Sequence, residues 1–138
     1  PLLAIITGNT NPLCYDDTTG TATSIAGGGV APYMYAWSNG DMMANASNLE
    51  AGSHMLTVTD AVGCMQTTSV IVTQPNALSG TFVNVMDVSC NAGTNGSAGM
   101  LNAGGTAPYT MAWSDGSTTG STSGLSAGFV SATSELNV

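Results

Sequence analysis

Short runs along the chain alternate apolar and polar residues, and most runs close on glycine, asparagine or aspartate. Tyr33, Tyr35 and Trp37 alternate with Met34 and Ala36. A period of two places the aromatics on one face of a strand. Asn39-Gly40 follows at once, a pair that accepts positive φ and favours the tight turns joining strands. His54, Leu56 and Val58 alternate with Met55, Thr57 and Thr59. Asp60-Ala61-Val62-Gly63 then reads as a turn, with the Asp carboxylate bonding backbone and Gly63 in a left-handed position. Val70 and Val72 resume the inward face, which predicts a hairpin near residues 53–73. Gly27-Gly28-Gly29 and Ala31-Pro32 form a loop entering the aromatic strand. No segment of useful length carries a helical period. The same alternation turns Met34, Met55 and Met65 toward solvent and His54 inward.

One stretch occurs twice. Residues 31–40 read APYMYAWSNG, and residues 107–116 read APYTMAWSDG. Trp37 recurs at Trp113 and Pro32 at Pro108, a spacing of 76 in both cases. At the same offset Cys14 meets Cys90, Gly28-Gly29 meets Gly104-Gly105, and Leu49, Ala51 and Gly52 meet Leu125, Ala127 and Gly128. Self-similarity at a fixed period marks an array, and a period this long suits a small domain per copy. The chain therefore reads as two modules, 1–75 and 76–138. The expected fold is all-β: tandem immunoglobulin-like antiparallel β-sandwich modules. The second copy reads as C-terminally incomplete. Its last ten residues match poorly, and its counterparts of Cys64 and the final strand fall past residue 138. The opening at Pro1 reads as the start of a mature or excised segment.

Charge narrows the chemistry. The 138 residues include eight acidic side chains, one His and no Lys or Arg. With no side chain to neutralise phosphate, nucleic acid is not an expected partner. An anionic membrane surface is not an expected partner on the same ground, and P-loop and Schiff-base chemistries are excluded. Apolar residues make up 43%, enough for a core, but no run approaches a bilayer span.

Three cysteines remain: Cys14, Cys64 and Cys90. A Cys14–Cys64 disulfide would tie the first strands to the last hairpin and stabilise a small module by about 3–4 kcal/mol. Cys90 would then be unpaired, its partner lying past the chain's end. The alternative is three free thiols. Metal binding has no ligand spacing to support it, and no metal or other cofactor is expected.

A unit of the form C…G…GG-x-x-PY-x-x-W-S-[ND]-G, then L-x-AG, then TVTD-x-x-GC and a last strand ending in QP, resembles the SprB repeat. The first module carries Cys14, Gly28-Gly29, Pro32-Tyr33, Trp37-Ser38-Asn39-Gly40, Leu49, Ala51-Gly52, Thr57-Val58-Thr59-Asp60, Gly63-Cys64 and Gln74-Pro75. The second matches as far as Gly128. The resemblance implies an Ig-like fold, type IX export and a role in a surface filament, stalk or adhesin of gliding Bacteroidota. It implies no catalytic residues.

Candidate sites follow from these patterns. Tyr33, Tyr35 and Trp37 are expected as core, with exposed stacking on sugar rings as the rival. Tyr109, Trp113, Asp115 and Gly116 are their counterparts, and Asn39, Gly40, Asp60 and Gly63 are structural turn residues. Asp16-Asp17 with Asp60 or Asp41 lacks the spacing of a calcium loop. A single His leaves no Ser-His-Asp arrangement, so catalysis is not expected. Asn45 and Asn95 head N-glycosylation sequons, and Asp17-Thr18-Thr19 fits the O-glycosylation pattern of Bacteroidota at Thr18. The expected function is a structural or adhesive repeat segment at the cell surface. Its partners are further repeats or other copies of itself, with PLLAIITGN as a candidate donor strand for strand-complemented assembly, and surface glycans. The alternative is a carbohydrate-binding β-sandwich.

Overall fold

A computed structural model describes residues 1–136. The chain divides into two compact units, Pro1–Pro75 and Asn76–Val138. The described residues form strands, turns and bends only.

The first unit holds β1 (Leu3–Thr10), β2 (Gly20–Gly27), β3 (Met34–Trp37), β4 (Asn45–Leu49), β5 (Gly52–Thr59) and β6 (Met65–Val72). They make two three-stranded sheets, β1-β2-β4 and β3-β5-β6, with every pair antiparallel. The alternation explains the layering. Leu56 and Val58 on β5 are fully buried, while Met55, just before them, is 54% exposed. Ala22, Ala46 and Leu49 answer from the first sheet, and Trp37, Val72 and Leu2 complete the core. Burying apolar side chains between two sheets is the main stabilising term of such a unit. Met34, Met65, Met42 and Met43 are exposed, as the alternation and the turn position require.

The N-terminal segment is not a free donor strand. It is β1 of its own unit, paired from Leu3↔Gly27 to Thr10↔Thr21, with Leu2 buried in the core. Its apolar, uncharged character reflects that internal pairing. Gly28 shows how closely the chain returns there. Its φ is +67°, and a Cβ on it would lie 2.1 Å from the Pro1 carbonyl oxygen, so only glycine fits.

The second unit holds β7 (Ser79–Met86), β8 (Gly96–Ala103), β9 (Tyr109–Trp113), β10 (Ser121–Leu125) and β11 (Ala132–Leu136). Its sheets run β10-β8-β7 and β11-β9. Ala132 pairs with Trp113 as Leu56 pairs with Trp37, and Glu135 with Thr110 as Thr59 with Met34. The offset of 76 thus holds through β11, although few side chains match there. Backbone pairing with the tryptophan strand keeps the register where residue identity has drifted.

Candidate functional site

The repeated decapeptide builds the same object twice. Ala31-Pro32 and Ala107-Pro108 are both cis. Each proline is followed by a tyrosine whose hydroxyl donates back to a loop carbonyl: Tyr33 to Gly28 O at 2.6 Å, Tyr109 to Gly104 O at 2.7 Å. Trp37 and Trp113 are each 4% exposed. Their indole N–H groups donate to Met43 O at 3.0 Å and Thr119 O at 2.8 Å. Tyr33 and Tyr35 pack against the core, and Trp113 meets Phe82 with ring centroids 5.9 Å apart. The aromatics are an inner face. A ring with both faces packed in a core offers no platform for a sugar.

After each tryptophan comes a tight turn. Gly40 N donates to Trp37 O and Gly116 N to Trp113 O. In the first unit Ser47 N and Asn39 Nδ2 donate to the Asp41 carboxylate. The Ser47 amide and then the Asn39 side chain hold that carboxyl below its ordinary value, against desolvation. In the second unit the acid stands two places earlier. Asp115 accepts from the Thr122 hydroxyl and the Ser117 amide, which lower its pKa in that order. Asn39/Asp41 has become Asp115/Ser117, so each turn keeps one carboxylate to satisfy its backbone. Aligning the copies displays this exchange in the sequence, but only the hydrogen bonds give it meaning.

Asp60 is 2% exposed and ties two loops together. Its carboxylate accepts from Val62 N at 3.1 Å, Cys64 N at 2.9 Å and Val30 N at 3.2 Å. Burial pushes its pKa up, but the backbone amides outweigh that and hold it below the ordinary value. Gly63 takes φ +86° in the same turn. Leu136 stands at the equivalent place in the second unit, its side chain against Gly105. There an apolar contact replaces a hydrogen-bonded lock.

The cysteines require a correction. All three thiols are free, and the expected Cys14–Cys64 bond does not form. Cys14 belongs to the 11–19 loop, where Asp16 N donates to Gln74 Oε1 and Thr73 N to Asn11 Oδ1. That is the far end of β6. Cys64 precedes Met65 at the near end, beside Asp60. A strand of eight residues separates them, about 25 Å at the usual rise, whereas a disulfide needs Cα atoms within roughly 7 Å. The inner positions of β2 and β5 belong to Ala22 and Leu56, both fully buried. Cys90 is exposed in the loop equivalent to that of Cys14.

The remaining candidates are dispersed. His54 is 8% exposed, and its Nε2 donates to Glu50 O at 2.9 Å. Thr18 is exposed on the rim of a polar recess of about 230 Å3 that also holds Asn39, Glu50 and His54. Asp17 caps the Thr18 amide and accepts from Thr19. Asn45 is exposed on β4, whereas Asn95 is engaged with both the amide and the hydroxyl of Ser89. Asp16 and Asp17 lie at the Gln74 end and Asp60 at the other. Among the described residues no three His, Cys, Asp or Glu side chains gather as a metal site would require. No helix among them is long and apolar enough to cross a membrane.

No curated protein matches the chain. The family model described as the SprB repeat matches twice, over residues 9–42 and 83–118. The two matches end at equivalent residues, just past the turn that follows each tryptophan. They cover the cysteine loop, the paired glycines and the whole decapeptide in both units. Together they span half of the sequence, and the chain belongs to the SprB repeat family.

Proposed function

We propose that this chain is a structural and adhesive repeat segment of a secreted cell-surface fibre or filament protein. Membership in the SprB repeat family supports the cell-surface setting. The observation that carries the reading is the construction of the same sandwich twice, with both aromatic faces committed to cores. The order β1-β2-β4 opposite β3-β5-β6 supports an immunoglobulin-like topology, with the buried tryptophan on the third strand. In this reading the units act in series, holding surface away from the cell. Repeated copies raise the effective concentration of any weak contact at a target. Export follows the type IX route, gliding motility is the setting, and no reaction is catalysed. Assembly proceeds by further repeats and by strand complementation. The carbohydrate-binding alternative loses its aromatic platform, since Trp37 and Trp113 are buried.

Protease shaving of intact cells tests the setting. Peptides of this chain should appear in the released fraction before cell lysis. Peptides recovered only after lysis contradict the reading.

A further inference from the structure

A polar recess of about 230 Å3 lies in the first unit, where the loop before β2, the turn after β3 and the β4–β5 connection meet. Its walls are held by completed hydrogen bonds. His54 Nε2 donates to Glu50 O, Asn39 Nδ2 donates to Ser47 O and the Asp41 carboxylate, and Ser38 Oγ accepts from Met55 N. The groups on its rim are unspent. Among the described residues, no other group of the chain bonds the Glu50 carboxylate, the Asn48 side-chain amide or the hydroxyls of Thr18 and Ser53. The backbone at Asn48 adds a second observation. Its φ is +54°, a region that costs asparagine more than glycine. The offset of 76 puts Gly124 at the same place, with φ +76°. The bend therefore needs no asparagine side chain, yet the first unit keeps one there. Such an outlier points to use of the side chain. Glu50, Ser53 and His54 stand as Ser126, Phe129 and Val130 in the second unit, so the polar set belongs to one copy.

The chemistry of a ligand follows by elimination. The net charge is −8 with no Lys or Arg, and Glu50 stands in the recess, so an anion is repelled. An apolar group would strip water from a carboxylate and an amide and return no hydrogen bond. A lone ammonium has donors only, and would leave the Asn48, Ser53 and Thr18 donors unanswered. A calcium ion takes more oxygen ligands and more charge than one carboxylate gives, and among the described residues no three His, Cys, Asp or Glu gather. A neutral group with several hydroxyls remains. Two neighbouring O–H groups can donate to the Glu50 carboxylate, while Asn48, Ser53 and Thr18 both give and accept. We propose that this recess binds a neutral pyranose, the terminal sugar of a glycan on the target surface. The ring is held at its edge by hydrogen bonds and needs no aromatic platform, in keeping with the burial of Trp37 and Trp113. The proposal rests on the adhesive-repeat reading and gives its target a chemical class.

The test titrates the isotope-labelled 138-residue chain with the methyl glycosides of glucose, galactose and mannose. At least one should give saturable NMR shifts at Asn48, Glu50 and Ser53, with none at Gly124 and Ser126. The methyl glycoside of glucuronic acid should bind about tenfold more weakly or worse. Glu50→Gln should weaken binding about fivefold, because a carboxylate accepts more strongly than an amide. Asn48→Gly should weaken it by about tenfold or more. The first unit's melting temperature should not fall in that variant, since the second unit folds with glycine there. Absence of saturable shifts with all three glycosides, shifts shared by both units, equal binding of the glucuronide, or equal binding by either variant overturns the proposal. A fall in melting temperature on Asn48→Gly overturns it too, since the asparagine is then structural. Failure leaves the surface location standing, since shaving tests that separately.

Discussion

Trp37 and Trp113 each put a ring into a core and an indole N–H on a loop carbonyl six residues ahead. The ring and the hydrogen bond are lost together on truncation. Trp37→Ala should therefore destabilise the first unit by about 3–5 kcal/mol, read by chemical denaturation, while the second unit keeps its transition. Gly28→Ala should also lower the first unit's melting temperature, since the added carbon meets the Pro1 carbonyl and φ is positive there. Titration gives a third expectation. Asp41, Asp60 and Asp115 all have carboxyls held below the ordinary value of 3.8. A depressed carboxyl contributes stability that is fully present above its unfolded pKa and lost as pH falls through the folded one. Melting temperature should be level in this respect at neutral pH and fall below about pH 4, as a pH series of melts reads directly. Asp60→Asn should flatten part of that fall. The inward tryptophan was legible from alternation and repetition. The Asp60 lock was legible only as a turn, because its bond to Val30 crosses thirty positions of sequence.

At the scale of the strand, alternation and turn chemistry foretold the β5–β6 hairpin with its outward methionines and inward valines. They could not foretell which strand ends meet. Cys14 sits within the 11–19 loop and Cys64 just before β6, and a pairing requires those two places to coincide. The 11–19 loop instead binds Asn11 and Asp16 to the Thr73–Gln74 end of the unit. Replacing both cysteines by serine, Cys14→Ser with Cys64→Ser, should shift stability by no more than about 0.5 kcal/mol, as for ordinary surface changes. A closed loop of that length would cost about 3–4 kcal/mol to open. A thiol assay on the purified chain under denaturing, non-reducing conditions should titrate all three cysteines. The register of β11 carries the opposite lesson. Its side chains hardly match β5, yet pairing with β9 keeps the offset.

The whole chain is a unit built twice. The first unit sets β6 beside β5, and among the described residues of the second β11 pairs with β9. No Lys or Arg stands on either copy, and the net charge is −8. Like-charged chains repel at long range, so association between copies should strengthen as salt rises and screening shortens the Debye length. Sedimentation of the chain across a salt series checks that direction. Repetition made the division of labour legible: a motif that recurs with its glycines and its turn is scaffold. Where such a chain meets its target was not legible, because the exposed faces carry no repeated signature.

The central claim is that this chain is part of an extended surface structure built from repeats. Electron microscopy of native cells, with gold-labelled antibody against the chain, tests it most directly. The account predicts label along filaments or stalks outside the cell, with a regular spacing between repeats. Label confined to the cell interior, or on isolated compact particles with no periodic structure, would contradict it.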